Sequence, residues 1–418
     1  MHIELNRRNF LALSSSGLLL PKTTLASSDS ERKFVFLFCT GGWDQCYLFA
    51  PLFDSPLIAM EEDAEPAQIN GITFVHSEGR PAYAEFLQRY GNITCVINGM
   101  ESRSVAHDIC LRLVSTGSSL PNTDDWPAII ASESTVDPIM PMVSISGPSY
   151  THKFDASVVR VGSAGQLGEL LDRTALYNSD VPIDAPSLYI DGYEDAWAQD
   201  IATQRLNAAY RGRAEKILQQ NLDTTARLQR LQDIQSELNI SETNDLRESL
   251  SLAVSILRAG TSRSIMIGYN GLQSMGWDTH AANFLQGIHI QDMFTEVKTF
   301  IDTLYSTRDN FGVPLINTTT VVLLSEMGRF PQINARGGKD HWTFTSAMLM
   351  GSGVRGGQTI GAFDDYCFGK KVDPVSGEIS DSGEDLIPGH LGATLLQLAD
   401  IDYSEFIHDA RPISAAIQ

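Results

Sequence analysis

The sequence predicts an α/β protein with a mostly parallel central sheet flanked by helices. Apolar runs at residues 34–39, 265–269 and 318–324 have the length of strands and lack polar alternation, which is typical of strands buried on both faces. Helical patterns occur between such runs, and alternating strands and helices favour a parallel sheet. Each run also leads into a loop that carries an acid, where open α/β sheets place their chemistry.

Four further strands are predicted from apolar runs bounded by turn residues. They lie at residues 92–97, 142–145, 158–161 and 347–350. Residues 166–171, which follow the third of these runs, have the spacing of a helix. Strands and helices therefore alternate along much of the chain, as an α/β fold requires.

Residues 195–260 differ in character from their flanking segments. They are polar and rich in Gln and Arg, with apolar residues such as Ile217, Leu218 and Leu222 at helical spacing. This pattern predicts a helical insertion that packs on the sheet or covers the site. A coiled-coil partner helix is the alternative, which the unsustained heptads disfavour. Residues 373–386 are rich in Asp, Gly, Ser and Pro and predict an exposed loop.

The N-terminus predicts export. Arg7 and Arg8 precede Phe-Leu, an apolar stretch at residues 11–20 and a small-residue cleavage candidate at residues 24–26, the order found in twin-arginine signal peptides. An ordinary basic N-terminus before a first helix is the alternative. We expect residues 1–28 to be a signal peptide, the twin-arginine translocase to be a partner during export, and the protein to be periplasmic or otherwise exported. The apolar stretch is too short for a stable membrane span.

Composition agrees with an acidic globular protein. The 418 residues are 43% hydrophobic, enough for a core, and carry a formal net charge of −21. Residues 1–28 hold three basic residues and one acid, so their removal would leave −23. Such a chain repels phosphate backbones and anionic lipid heads, and we expect neither nucleic-acid binding nor electrostatic membrane adhesion. Residues 29–418 are expected to form one α/β domain that includes the insertion, although their length also allows two or more domains.

The five cysteines do not form a recognisable motif. Their spacings are those of neither a zinc ribbon nor a redox Cys-x-x-Cys pair, and an odd count leaves at least one thiol free. Cys39 and Cys95 fall in predicted strands, where a buried inert thiol is usual. Cys39 with Cys46 is the disulfide we would test first.

Polar residues near the strand ends supply a candidate site. The strand at residues 265–269 leads to Gly-Trp-Asp-Thr-His, in which Asp278 and His280 can converge on one metal ion. Further acids and histidines near strand ends are Asp44, Glu326, Asp340 and His341. A helix cap at Asp278, a turn stabilised by Asp44 and a Glu326–Arg329 ion pair are the structural alternatives.

Five motifs follow one another along the chain. They are Gly-Gly-Trp-Asp44, Ser104-Val-Ala-His107, Gly-Trp-Asp278-Thr-His280, Ser-Glu326-Met-Gly-Arg329 and Asp340-His341. From about residue 34 to beyond residue 361, this set resembles the exported bacterial family catalogued as domain of unknown function 1501, grouped with the alkaline-phosphatase and sulfatase superfamily. The resemblance implies an alkaline-phosphatase-like α/β domain and metal-dependent hydrolysis of a phosphate or sulfate ester, but it does not indicate the substrate.

The resemblance also implies a ligand set for a divalent metal. Asp44 corresponds to the acid of the first strand, Asp278 and His280 to ligands of one metal, and His341 to the residue that closes that site. Glu326 takes the place of a later acid ligand, and Asp340 belongs to the same set. Zinc or manganese is the expected ion, with magnesium and calcium as alternatives. Met327 stands where phosphatases commonly have a histidine, so the number of ions stays open.

A nucleophile and an anion-binding residue complete the expected site. Ser102 or Ser104 follows the strand at residues 92–97 near a helix start, where amide groups stabilise an anion, and Ser104 is the candidate nucleophile. Helix capping is its structural alternative. His107 is expected to be catalytic as well. Arg329 is the candidate for holding the anionic ester group by a bidentate contact.

The loop at residues 329–341 is locally basic in sequence. It carries Arg329, Arg336 and Lys339 against the single acid Asp340. A solvated basic loop is the alternative to an anion site.

Together these observations predict an exported, metal-dependent hydrolase-like protein that acts on a small-molecule or polymeric phosphate or sulfate ester. The alternative is a non-catalytic periplasmic binding or assembly protein that retains the fold. The incomplete ligand pattern at Met327 favours this alternative. Bound metal distinguishes the two, because a hydrolase of this type should retain it.

Overall fold

The computed structural model describes residues 31–154, 158–161, 188–208, 211–234, 238 and 245–418. The expected signal peptide at residues 1–28 and the helical pattern at residues 166–171 lie outside this part of the chain. No helix among the described residues combines the length and the apolar character needed to cross a membrane.

The strands of the described residues form one large sheet and two small ones. They are β1 (Lys33–Cys39), β2 (Ala64–Ile69), β3 (Ile72–Ser77), β4 (Thr94–Glu101), β5 (Met142–Ile145), β6 (Val158–Val161), β7 (Ser264–Tyr269), β8 (Thr319–Ser325), β9 (Gly328–Arg329), β10 (His341–Trp342), β11 (Phe344–Gly351) and β12 (Gln358–Ile360). The large sheet has eight strands in the order β12-β4-β11-β8-β1-β7-β5-β6. Among these strands, β11 alone runs antiparallel to its neighbours in the part of the chain that the structure describes.

The predicted mostly parallel sheet is therefore confirmed, and its central strand shows why the sequence indicates it. β1 pairs in parallel with β7 on one side and β8 on the other, so Leu37 lies between Ile267 and Leu323. Alternate residues of β1 enter different apolar clusters, with Leu37 in one and Phe36 in the other. A strand with a core on both faces needs an unbroken apolar run.

Two strands are longer than their apolar runs. β4 continues to Glu101 through Asn98 and Gly99, and β11 begins at Phe344, before the run at residues 347–350. The extra residues pair with each other, since Phe344 lies opposite Glu101 across an irregular antiparallel ladder. Pairing with a neighbour extends a strand beyond what apolar periodicity alone indicates.

Helices flank the sheet. They are α1 (Gln45–Leu48), α2 (Ala82–Tyr90), α3 (His107–Thr116), α4 (Trp126–Ser132), α5 (Leu188–Asn207), α6 (Arg213–Asp233), α7 (Leu246–Ala259), α8 (Leu285–Ser306) and α9 (Pro388–Leu398). The range predicted to be a helical insertion, residues 195–260, contains most of α5 and all of α6 and α7. The last of these helices packs on α8 and buries Leu250, Ala253 and Ile256 in the core. Residues 373–386 contain neither a helix nor a regular strand, as predicted, and half of them are exposed.

The cysteines are all free thiols, and all are buried. Cys39 ends β1 with its sulfur 3.4 Å from the sulfur of Met293 in α8. Cys46 lies in a different apolar cluster, where its sulfur is 3.7 Å from that of Cys367. The expected Cys39–Cys46 pair is therefore wrong, because the two side chains enter different parts of the core.

Candidate metal centre

The candidate residues meet at one edge of the large sheet. β1, β4, β7 and β8 all end at this edge because they run in the same direction, and the antiparallel strand β11 begins there. The loops that follow these strands are joined by direct contacts. The Gly41 amide after β1 donates a hydrogen bond to Glu326 Oε1 after β8, over 2.7 Å. The predicted convergence of strand-end residues thus has a topological cause.

Asp278, in the loop after β7, is the centre of the arrangement. The Nε2 atoms of His280 and His341 each lie 3.2 Å from its Oδ1 atom. His107 Nε2, at the start of α3, lies 3.5 Å from its Oδ2 atom. The Nε2 atoms of His280 and His341 are themselves 2.9 Å apart. Three imidazole rings therefore point the same ring nitrogen at one carboxylate.

The opposite nitrogen of each ring contacts an acceptor. His107 Nδ1 lies 2.9 Å from Glu326 Oε1, and His280 Nδ1 lies 3.0 Å from Asp340 Oδ1. His341 Nδ1 lies 2.7 Å from the Val105 carbonyl oxygen. An acceptor at Nδ1 assigns the proton of a neutral ring to that nitrogen, so that Nε2 presents a lone pair.

This tautomer assignment creates a requirement for a cation. Neutral rings would direct three lone pairs at the Asp278 carboxylate and at one another, which is repulsive unless a proton or a metal ion lies between them. No described atom makes a hydrogen bond to the buried His107 Nε2 atom. Ligand atoms of His107, Asp278 and His341 all lie within 4.8 Å of one another. The residues present therefore fit a divalent metal ion with nitrogen and oxygen ligands, to which zinc and manganese are suited.

Electrostatic interactions distinguish the ionisable groups of this cluster. The carboxylates of Asp278 and Glu326 raise the pKa of His107 to about 9, so without metal this ring takes up the proton. Burial lowers the pKa of His341. Burial also pushes the pKa of Asp278 upward, but the contacts with His107 and Arg329 outweigh it and leave that pKa well below its usual range.

Arg329 has partners other than the anionic group expected for it. Its fully buried guanidinium donates to Asp278 Oδ1 over 2.6 Å, to the Gly42 carbonyl oxygen over 3.0 Å and to the Gly41 carbonyl oxygen. β9 and β10 pair so that Arg329 lies opposite His341, and both side chains reach Asp278. Groups of the protein therefore occupy the Arg329 N–H donors that an ester group would need.

The loop at residues 329–341 does not present the basic surface that its composition indicates. Arg336 is exposed, but Lys339 is fully buried, as is Arg329. The Lys339 ammonium lies 2.8 Å from Asp44 Oδ2, and that carboxylate is also fully buried. Asp44 thus has an internal partner and does not join the three-residue group around Asp278.

Ser104 lies just before α3, but its hydroxyl accepts a hydrogen bond from the Ala106 amide over 3.2 Å. Its neighbour Ser102 is buried and donates to the Thr343 carbonyl oxygen over 2.8 Å. Neither serine caps α3, because the N-cap of this helix is Ala106 and no side chain accepts a capping hydrogen bond there. The role of Ser104 as a nucleophile stays a prediction.

Two buried amide side chains at this edge were not indicated by the sequence motifs. Gln286 in α8 donates to the carbonyl oxygens of Gly42 and Trp277 and accepts from the Asp44 amide. Asn283 donates to Asp44 Oδ2 over 2.9 Å. Both join the loops after β1 and β7. Neither residue belongs to a strand-end motif, and their burial, which requires hydrogen-bond partners, is evident only from the tertiary structure.

One known family matches most of the chain. The family model described as "Protein of unknown function (DUF1501)" matches residues 31–409. The chain belongs to this family. No curated protein matched the sequence significantly.

Several solved structures resemble this DUF1501 chain at low sequence identity. The lipoteichoic acid synthase LtaP from Listeria monocytogenes is 8% identical with a TM-score of 0.40, covering 92% of this chain and 76% of the other. The PsFucS1 sulfatase from Pseudoalteromonas sp. is 9% identical with a TM-score of 0.40, covering 93% and 72%. A protein in the alkaline phosphatase superfamily from Vibrio parahaemolyticus is 9% identical with a TM-score of 0.34, covering 89% and 67%.

Proposed function

We propose that this chain is an exported metal-dependent hydrolase that acts on a phosphate or sulfate ester. The observation that carries the proposal is the convergence of three imidazole Nε2 atoms on the Asp278 carboxylate. This cluster lies at the carboxyl edge of a mostly parallel sheet, the usual location of an α/β active site. The family resemblance seen in the motifs supports ester hydrolysis as the chemistry.

The chain's own residues hold the ligands in place. Glu326 orients His107 through Nδ1, Asp340 orients His280, and the Val105 carbonyl orients His341. Arg329 fixes the Asp278 carboxylate from the protein side. A divalent ion bound by these ligands would polarise an ester oxygen and stabilise the charge that develops on it.

The centre is open to a substrate. The side chains of His107, Asp278 and His280 are 32%, 44% and 33% exposed. Solvent, and therefore a small ester group, can reach these side chains from outside, although the His107 Nε2 atom itself is covered, and Arg329 and Glu326 behind them are fully buried. Partial exposure of the ligands distinguishes this cluster from a closed structural metal site.

Hydrolysis assays test the proposal. Purified protein should be freed of metal, reloaded separately with zinc, manganese, magnesium or calcium, and assayed with aryl phosphate and aryl sulfate esters. We expect turnover of one ester class with at least one ion, and a loss of about a hundredfold or more in Asp278→Asn. Asp365→Asn, which changes an exposed acid, is the matched control and should keep wild-type turnover. Metal-loaded protein without hydrolysis of either ester would refute catalysis.

A non-catalytic binding or assembly protein is the second candidate function. The observation that favours it is the commitment of the Arg329 guanidinium to Asp278 and to backbone carbonyls, which leaves this guanidinium without free donors for a bidentate contact with an ester. In that case the protein should bind metal as expected but show no turnover in the assays above.

A further inference from the structure

We propose that the Lys339 ammonium group takes the place of a metal ion beside Asp44. The candidate metal centre around Asp278 consequently binds one divalent ion per chain. The inference rests on the metal-binding part of the proposed function. The two acids then have different roles, because Asp278 binds the metal ion and Asp44 binds the ammonium group of Lys339.

The Asp44 carboxylate has donors on both oxygens. Oδ2 lies 2.8 Å from Lys339 Nζ and accepts from Asn283 Nδ2 over 2.9 Å. Oδ1 accepts from the Cys46 amide over 2.9 Å, which caps α1. Both charged side chains are fully buried, so water does not reach either of them. A carboxylate that forms an ion pair, caps a helix and is shielded from water has little remaining capacity to bind a metal ion.

Lys339 is held in this position by its backbone as well as by its side chain. Its amide donates to the Thr279 carbonyl oxygen over 3.0 Å, and its carbonyl oxygen accepts from Arg329 over 3.3 Å. Its ammonium also donates to the Ala59 carbonyl oxygen over 2.9 Å. The loops after β7 and β8 therefore fix the cation between them, and a second ion near Asp44 would have to displace it.

Charge balance leads to the same number of ions. The carboxylates of the site belong to Asp44, Asp278, Glu326 and Asp340, and the lysine and arginine side chains that form ion pairs with them are Lys339 and Arg329. With neutral imidazoles, four negative and two positive charges leave a formal charge of −2. One divalent ion neutralises that charge, whereas a second would leave excess positive charge in a partly buried site, at a cost in desolvation.

Counting bound ions in the wild-type chain is the primary test. Metal-free protein should be titrated with zinc and, separately, with manganese, and bound ions counted by native mass spectrometry and calorimetry. We expect saturation at one ion per chain. Saturation at two ions would overturn the inference while leaving hydrolysis possible. One bound ion without ester hydrolysis would support the inference and refute the proposed catalysis, and no bound ion would refute both.

A charge-neutral double variant tests the role of Asp44. Asp44→Asn combined with Lys339→Met removes both charges together and avoids leaving either one buried alone. Asparagine can still cap α1. We expect this variant to bind one ion with an affinity within about tenfold of wild type, since its ligands are unchanged. A larger loss in the folded variant would show that Asp44 is a ligand. Asp278→Asn is the positive control and should lose the ion, and the wild-type count decides the inference if the double variant does not fold.

Discussion

Individual side chains at the sheet edge divide into groups that face the ligand space and groups that hold them. His107 shows the distinction within one ring, because Nδ1 contacts the buried Glu326 and Nε2 faces Asp278. Arg329 belongs to the second group, since every partner described for its guanidinium is part of the protein.

The pKa of His107 should make the stability of the metal-free protein depend on pH. The folded-state pKa is about 9, above the ordinary 6.5, so protonation of this ring stabilises the fold fully below pH 6.5. That stabilisation is lost as the pH rises through 9. Thermal melts in a chelator should therefore show a steeper fall between pH 6.5 and pH 9 for wild type than for His107→Gln. Equal slopes of melting temperature against pH in the two proteins would contradict the raised pKa of His107.

Arg329→Ala should destabilise the fold. The variant leaves Asp278 without its buried partner and several carbonyl oxygens without a donor, and we expect a loss of about 3 kcal/mol in the free energy of unfolding. Urea denaturation measures this loss. Arg336→Ala, an exposed arginine in the same loop, should change stability by less than about 0.5 kcal/mol. A pure anion-binding role for Arg329 predicts lost turnover with unchanged stability.

At the scale of elements, the centre depends on how closely the loops after β1 and β7 approach. Gly41 has a φ of +123°, and a Cβ atom there would lie 2.6 Å from the Asp278 amide nitrogen and 2.9 Å from the Trp277 carbonyl carbon. Backbone atoms at such distances cannot move aside without separating the two loops. The glycine is thus required by the packing of one strand-end loop on another as well as by its own dihedral angles.

Gly41→Ala should therefore weaken metal binding by about tenfold or more, because it displaces Asp278 and breaks the amide contact with Glu326. Gly276→Ala is the matched control. Its φ is also positive, at +82°, but the nearest atom to an added Cβ is 3.9 Å away. The control should lose some stability from backbone strain and keep its metal affinity. Calorimetric titration of both variants with zinc distinguishes steric displacement from backbone strain. Equal zinc affinities of the two variants would show that the close approach at Gly41 does not control metal binding.

At the scale of the whole molecule, the N-terminal segment bears on the compartment in which the protein acts. The twin-arginine pattern at Arg7-Arg8 leads us to propose an exported protein. Replacement of both arginines by lysine keeps the charge and removes the pattern that the export receptor reads. We expect the variant to accumulate in the cytoplasm as a longer precursor, detected by fractionation and immunoblotting. Processed periplasmic protein at wild-type levels would exclude the assignment.

Local patterns in the sequence were sufficient to predict the sheet and the meeting of strand-end residues at one of its edges. The apolar runs of β1, β7 and β8 and the glycine-acid loops after them are short-range signals, readable without any partner. Parallel strands then bring those loops to one edge, so Asp278, His280 and Glu326 could be expected near each other. The sequence alone also indicated the family to which the chain belongs.

The tertiary structure decided which of these side chains can serve which purpose. Lys339 and Asp44 come from loops far apart in sequence, and nothing in either motif indicates that they form a buried pair. Arg329 is typical of an anion site by composition, yet packing turns it toward the protein's own carbonyl groups. The physical reason is that charge state, burial and hydrogen-bond partners depend on contacts between distant segments, whereas periodicity and turn signals report only on neighbours along the chain.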